Sequence, residues 1–316
     1  MKSLGVKIQA SAHYLPASII SNQDIIEQNS LRLKDQWVKD NIGINNRHWV
    51  TQESVADLGC EVLKELIAKS SLQPECLIVA TVSGQYSTPA TACMIQAQTT
   101  PGQLYPSFDI TSACAGLMFA MDIGIRYIQT GFKSVTCIAT ETRSLFLDKK
   151  DRRTVMLFGD GASGMVLAPC QEDEIGIFYS KTMSDGRFWN SIVVPNETQK
   201  IEMRDASGIF ESAIEKMSTL IEDALKESST TKDQYKHFIF HQASRNIVLA
   251  AAKNLELRED QFTINFDEVG NTTSASVGIL LDQCVNDKKI QKGDLVCMLA
   301  TGGGFSAAIS LFRWEV

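Results

Sequence analysis

Short β-rich apolar runs alternate with amphipathic helical runs along the whole chain, and few architectures accommodate that alternation. Strands are expected over Val6–Ala12, Leu77–Val82, Ser107–Ile110, Val135–Thr140, Gly164–Ala168, Ile175–Ser180, Phe238–His241, Leu295–Ala300 and Ala307–Phe312. Helices are expected over Val55–Lys69, Ala90–Gln98, Ala115–Gln129, Phe210–Lys226, Ser244–Asn254 and Ala275–Val285. In the first of these, Val55, Leu58, Val62, Leu63, Leu66 and Ile67 recur on one face, which gives the helix an apolar side to bury. The pattern indicates α/β architecture with helices covering the sheets. A composition break near Pro169–Glu174 divides the chain into residues 1–170 and 171–316. Each half closes with a glycine-rich turn feeding an apolar strand, Phe158-Gly159-Asp160-Gly161-Ala162 in one and Thr301-Gly302-Gly303-Gly304-Phe305 in the other. A duplicated α/β unit is the natural reading.

Composition narrows the functional classes. A formal net charge of −7 disfavours nucleic acid and membrane surfaces as partners. No apolar run reaches the roughly 18 residues of a membrane helix, and the N-terminus reads as a strand without a signal-peptide core, so a cytoplasmic protein is expected. The eight cysteines form no C-x-x-C pair and no zinc spacing, so no metal site is expected. Most sit in apolar runs, where free cysteine packs as a small hydrophobe, as a reducing compartment allows. The one dense basic run, Lys149-Lys150-Asp151-Arg152-Arg153, reads as a solvated loop or a phosphate contact.

Cys114 differs from the other cysteines. Phe108-Asp109-Ile110-Thr111-Ser112-Ala113-Cys114-Ala115-Gly116-Leu117 is a strand running into a helix through small residues. A thiol there meets the positive end of a helix dipole and is expected to have a lowered pKa. A second junction is Phe238-Ile239-Phe240-His241-Gln242-Ala243-Ser244, where an apolar strand is expected to end at His241. His237 lies four residues earlier with no acidic third ligand nearby, which makes a zinc site weak. A third is Val269-Gly270-Asn271-Thr272-Thr273-Ser274-Ala275-Ser276, where Asn271 or Thr272 alone would read as a helix cap. Taken together, Cys114, His241 and Asn271 supply a nucleophile and two hydrogen-bond donors. Decarboxylative condensation uses that set: the thiolate carries an acyl group, and the two donors hold the enolate formed when a second acyl thioester loses CO₂.

On the motifs Ser112-Ala113-Cys114-Ala115-Gly116, Phe158-Gly159-Asp160-Gly161-Ala162, His241-Gln242-Ala243, Gly270-Asn271-Thr272 and Gly302-Gly303-Gly304-Phe305, the chain resembles β-ketoacyl-acyl-carrier-protein synthase III, of the thiolase superfamily, over nearly its full length. The resemblance implies a five-layered αβαβα fold, a homodimer and a ping-pong reaction. In it acyl-CoA acylates the cysteine, and a malonyl thioester, on CoA or on an acyl carrier protein, then decarboxylates and attacks. It implies no cofactor beyond these substrates. It makes Cys114 the nucleophile with His241 and Asn271 as partners, and the backbone N–H groups of Cys114 and Gly303 the oxyanion hole. It places Trp37 against the CoA adenine with Arg152 opposite, and leaves Lys253 as the remaining basic residue of a carrier-docking face where Glu211, Asn246 and Asn254 now stand.

The departures from the family pattern bear on specificity. Asn41 stands where an arginine is frequent, Thr88 replaces a pocket-limiting aromatic reaching across the dimer, Thr301 replaces another aromatic, and Arg143 falls where an aliphatic is usual. These changes imply a wider, more polar pocket and a larger starter in fatty-acid or specialised biosynthesis. Arg143 is expected either to pair with a carboxylate or polar group of that starter, or to bridge to Glu141 or lie at the surface. A degradative thiolase would need a cysteine near Ala300–Thr301, and the related hydroxymethylglutaryl-CoA synthase a glutamate base that the sequence does not place. Two alternatives stay open: an acyltransferase moving the Cys114-bound acyl group to an oxygen or nitrogen nucleophile with His241 as base, and a non-catalytic partner subunit.

Overall fold

The structure is a computed structural model that describes the backbone of all 316 residues and every side chain except those of residues 206, 207 and 209–213; the Glu211 side chain, expected on a docking face, therefore lies outside the described residues.

The first 170 residues contribute β1 (Val6–Tyr14), β2 (Ile19–Ser21), α1 (Asn22–Gln28), α2 (Asp35–Asn41), β3 (Asn46–His48), α3 (Val55–Ser70), β4 (Cys76–Ala80), α4 (Thr91–Thr99), β5 (Ser107–Ile110), α5 (Gly116–Gln129), β6 (Val135–Glu141) and β7 (Gly161–Pro169). The remainder contributes β8 (Ile177–Ser184), β9 (Ile192–Val193), β10 (Glu202–Met203), α6 (Ala206–Glu227), β11 (His237–Phe240), α7 (Arg245–Asn254), α8 (Phe266–Val269), α9 (Ser276–Asn286), β12 (Leu295–Gly302) and β13 (Ser306–Arg313). Each long strand and helix expected from the sequence is present within a few residues. The local causes are visible: Ser54 Oγ accepts the Asp57 N–H while the Asp57 carboxylate accepts the Ser54 N–H, a reciprocal box that starts α3 where its apolar stripe begins.

Strands of residues 6–169 lie side by side in the order β5-β4-β6-β7-β1, and those of 177–313 in the order β11-β12-β13-β8. Within each set parallel pairing (β5/β4/β6; β11/β12) gives way to antiparallel pairing (β6/β7/β1; β12/β13/β8). The two sets meet through the single residue pair Val6–Ile177. Helix α3 packs on the outer side of the first set, beside α4, and α6 and α7 pack on the outer side of the second. Helices α5 and α9 lie between, touching strands of both sets, and share one apolar core in which Leu117, Met121, Ile279 and Leu280 are sealed from solvent. These are the five alternating layers that the resemblance implies. Because α5 and α9 are covered from both sides, they read as nearly continuous apolar runs rather than narrow stripes. No helix among the described residues is long and apolar enough to cross a membrane.

One polar cluster ties the central layer to the first outer layer. The buried Asp282 of α9 accepts hydrogen bonds from Ser11 (2.7 Å) on β1, Lys69 (3.2 Å) on α3 and Asn286 (3.0 Å), and pairs with His13 Nδ1 (2.7 Å). Burial works to raise its pKa, but His13, Ser11 and Lys69 outweigh it and hold the carboxyl below its ordinary value. Its contribution to stability is thus full above the ordinary carboxyl range and is lost as pH falls through the depressed value. Asp282→Ala, which strands the partners, is expected to cost about 3 kcal/mol at neutral pH by denaturant unfolding, with the difference from wild type narrowing below about pH 4.

Candidate active site

Strand β5 ends at Ile110, and the chain turns into α5 through Thr111–Ala115. Ala113 takes a left-handed φ of 46°, and a single 3-10 turn over Ala113–Ala115 follows. This sharp corner presents Cys114 to a cavity of about 680 Å³ whose wall also holds Asn271, Gly303 and Arg143. The rest of the wall is largely apolar, with Val82, Leu157, Phe158, Ile192 and Ile247.

Asn271 arrives from the loop before α9. Its backbone N–H donates to Leu157 O (2.8 Å) and its carbonyl accepts from Gly159 N–H (3.1 Å), so the loop pairs with the Phe158-Gly159 segment as a one-residue strand. A Cβ on Gly159 would run into the Val269 carbonyl, which explains the glycine of that motif. The next residue, Asp160, is sealed and accepts from Ser144 N–H and Val50 N–H (2.8 Å each) and from Ser144 Oγ. Burial raises its carboxyl to about 6 against those donors. The Phe158–Ala162 motif therefore shapes the site without entering the chemistry. Asn271 Oδ1 accepts the Thr273 N–H (2.9 Å), which assigns the amide oxygen inward and leaves the Nδ2 donors for the cavity.

His241 follows β11, which ends at Phe240, one residue earlier than the sequence reading places it; the His241 N–H still donates to Leu299 O (2.9 Å). The ring is buried, and its Nδ1 pairs with Ser276 Oγ at the first turn of α9. Ser276 Oγ also accepts the Gln242 N–H (3.4 Å). The other ring nitrogen, Nε2, has no hydrogen-bond partner among the described residues. Burial holds His241 down at about 3, so the ring is neutral throughout the physiological range. His237 points elsewhere, to Thr263 Oγ1 (3.1 Å) and Cys284 (3.7 Å), and the described residues contain no group of three or more His, Cys, Asp or Glu able to hold a metal.

The glycine turn after β12 completes the corner. A Cβ on Gly302 would sit 2.6 Å from the Cys114 nitrogen and 3.2 Å from the Ala115 nitrogen, so only glycine lets the two turns touch. Neither Cys114 N–H nor Gly303 N–H has a backbone acceptor among the described residues, as an oxyanion hole requires.

The thiol itself departs from expectation. Burial pushes Cys114 up to about 12, with Glu141 adding to the rise, while the Arg143 guanidinium and the residue's own N–H pull down. The helix terminus does not outweigh desolvation because α5 begins only at Gly116, two residues beyond the sulfur. Arg143, too, is neither at the surface nor bridged to Glu141. It is 3% exposed, and the Glu141 carboxylate is engaged by Ser83 Oγ, Ser274 Oγ and the Val82 N–H.

The other expected residues divide. Trp37, half exposed on α2, and Arg152 line a second cleft of about 810 Å³ with Arg32, Lys34, Ile42 and Arg153. Lys149 leaves the basic run and lies 3.9 Å over the Trp49 ring. Lys253, on the last turn of α7, and Thr88, in the loop before α4, are exposed and lie outside the cavity of the single chain. Thr301 does not widen the cavity: it sits buried opposite Ala307 in the β12–β13 ladder, and directly paired residues face the same side, here the outer core against α6 and α7. Sequence reasoning missed Ser276, whose role depends on His241 folding against it, and the wall formed by Trp189, Ile192, Val193, Val194 and Met203. Ile192, Val193 and Met203 belong to a ribbon of two-residue strands, β9 with β10, and Trp189 and Val194 flank it; strands so short carry no periodic signal.

Comparison with known proteins gives a consistent result. The profile of 3-oxoacyl-(acyl-carrier-protein) synthase III matches residues 108–186, and that of its C-terminal region matches residues 225–314. The β-ketoacyl-(acyl-carrier-protein) synthase III of Koribacter versatilis is 30% identical over 98% of this chain and 97% of its own length. That of Clostridium tetani is 34% identical over 99% of this chain and 100% of its own. The crystal structure of the Aquifex aeolicus 3-oxoacyl-(acyl-carrier-protein) synthase III superposes with a TM-score of 0.93 at 30% identity, covering 98% of this chain and 100% of that one.

The Cys114 thiol is half-buried at the cavity wall, and desolvation that raises it to about 12 keeps it protonated at rest at ordinary pH. The alkylation rate of Cys114 by iodoacetamide is expected to climb about tenfold per unit from about pH 7 to about pH 10. A plateau near the ordinary cysteine value, read by peptide mass spectrometry, would contradict this electrostatic description.

Proposed function

The chain belongs to the 3-oxoacyl-(acyl-carrier-protein) synthase III family, and from that premise we propose how its residues condense an acyl starter with a malonyl thioester. It is a ketosynthase-type acyltransferase of the thiolase fold. The observation that carries the assignment of roles is the convergence of Cys114, Asn271 and Gly303 on one cavity, with His241 neutral behind it, anchored through Nδ1 and with Nε2 unpartnered among the described residues.

In the first half-reaction the Cys114 sulfur bonds to the acyl carbonyl of an acyl-CoA. The Cys114 and Gly303 N–H groups take the developing oxyanion, and the CoA sulfur leaves carrying the thiol proton. In the second, a malonyl thioester loses CO₂. His241 Nε2–H and Asn271 Nδ2–H hold the enolate oxygen, and the enolate carbon attacks the Cys114 thioester, releasing a β-ketoacyl thioester and, with a proton from solvent, the thiol. A donor is more useful than an acceptor at Nε2 for this step, which favours condensation over transfer to an oxygen or nitrogen nucleophile, where His241 would act as base. The second cleft supports acyl-CoA as the donor: Trp37 offers an aromatic face, and Arg152 and Arg153 offer cations for the nucleotide phosphates. The malonyl group arrives on CoA or on an acyl carrier protein, and exposed Lys253 and Arg245 on α7 are the cations available to an acidic carrier. The exposed position of Thr88 fits a homodimer in which each copy contributes its Thr88 loop to the other's acyl pocket.

Incubation with a panel of acyl-CoAs is expected to add the acyl mass to the wild-type protein and not to Cys114→Ala. Asn271→Ala is expected to keep the acyl adduct while malonyl decarboxylation falls about 10²–10³-fold, measured as CO₂ release. A Cys114 that never takes an acyl group, or an acylated enzyme that forms an ester or amide without CO₂, would defeat the assignment. Trp37→Ala with Arg152→Ala is expected to raise KM for acyl-CoA about tenfold while kcat holds.

A further inference from the structure

Arg143 stands out among the residues of the catalytic cavity. Among the described residues it is the one cationic side chain on a wall otherwise built of apolar and neutral polar groups, and it is 3% exposed. Its guanidinium makes one hydrogen bond to the described residues, Nη1 to Val82 O at 3.1 Å, and its Nε is buried with no acceptor among them. No carboxylate among the described residues comes within ion-pair distance. The nearest in sequence, Glu141, is engaged by Ser83, Ser274 and the Val82 N–H, and Asp160 by Ser144 and Val50. Phe146 and Phe158 flank the guanidinium at 5.4 and 5.8 Å, which fixes the plane of the fork without satisfying its donors. A buried guanidinium with unmet donors facing a cavity is a half-built carboxylate site, since its fork matches a carboxylate with two parallel hydrogen bonds.

We infer that Arg143 selects a starter whose acyl chain ends in a carboxylate, a CoA monothioester of a dicarboxylic acid, and binds that distal carboxylate while the thioester lies at Cys114. The inference rests on the ketosynthase reading above and adds its substrate class. The malonyl carboxylate is the less suitable partner, because an ion pair made in the ground state and lost with CO₂ would oppose decarboxylation.

The test is a competition for Cys114 between succinyl-, glutaryl- or adipyl-CoA and the plain acyl-CoA of equal carbon number, read by intact-protein mass spectrometry. Wild type is expected to favour a dicarboxylic member. Arg143→Leu is expected to lower that preference about 30-fold or more, and Arg143→Gln, which keeps a donor for Val82 O without the charge, to lower it comparably. Arg143→Lys is expected to recover part of it. A wild-type preference for plain chains, or a preference ratio unchanged in both Leu and Gln variants, overturns the inference and leaves the ketosynthase reading standing. So does an unchanged ratio accompanied by a raised KM for the malonyl thioester, which would assign Arg143 to the extender. Absence of any acyl adduct on Cys114 overturns both.

Discussion

The whole site depends on two buried helix starts being pressed together. Helices α5 and α9 form the middle layer, and their first turns touch where Gly116 packs against Ala80 and Ser274, a Cβ there lying 3.0 and 3.2 Å from those side chains. The first N–H groups of a helix have no partner within it. In the centre of a five-layer protein they cannot turn to bulk water either, so they must find side chains, neighbouring turns or a substrate. Cys114 sits just ahead of one start and Ser276 on the other, and the Gly302 turn closes over the first with only a hydrogen atom's clearance. Donors available to a substrate oxygen are thus a consequence of the layer order.

Burial also sets the charge state of the reacting groups. Desolvation moves Cys114 up and His241 down, so both are neutral at rest. Neutrality suits the imidazole, which must donate a proton in a hydrogen bond without carrying a charge. The Arg143 guanidinium in the wall pulls the thiol back down against that desolvation, an interaction that gains from the low local dielectric.

Much of this was legible in the residues. The alternation of apolar strands and amphipathic helices located the layers, because period 2 and period 3.6 survive in any fold that buries one face. The small residues around Cys114 and the glycine-rich turn at 302–304 stood out in the sequence as a junction and a turn; that the two backbones touch is a property of the fold. The strands of residues 6–169 and those of 177–313 are contiguous sets within one nine-stranded sheet, joined through the Val6–Ile177 pair. What the residues could not convey was range. Asn271 lies 157 positions from Cys114 in the chain, and the Phe158–Asn271 bridge helps bring its loop to the cavity wall. Separation along the chain also hid Ser276 as the partner of His241, 35 positions away, and the β9–β10 ribbon as part of the cavity wall. It also misplaced Thr301, whose facing is decided by which strand pairs with β12.

By itself, then, the sequence determined the element types, the α/β class and the family, and singled out Cys114, His241 and Asn271 as candidates, since all of these are written in local periodicity and in residue chemistry at element ends. Tertiary structure alone decided the desolvation of Cys114 and His241, the pairing of the imidazole Nδ1 with Ser276 and the separation of Arg143 from every carboxylate among the described residues. Those properties are set by desolvation and by hydrogen-bond partners remote in the chain, and neither exists until the layers have closed.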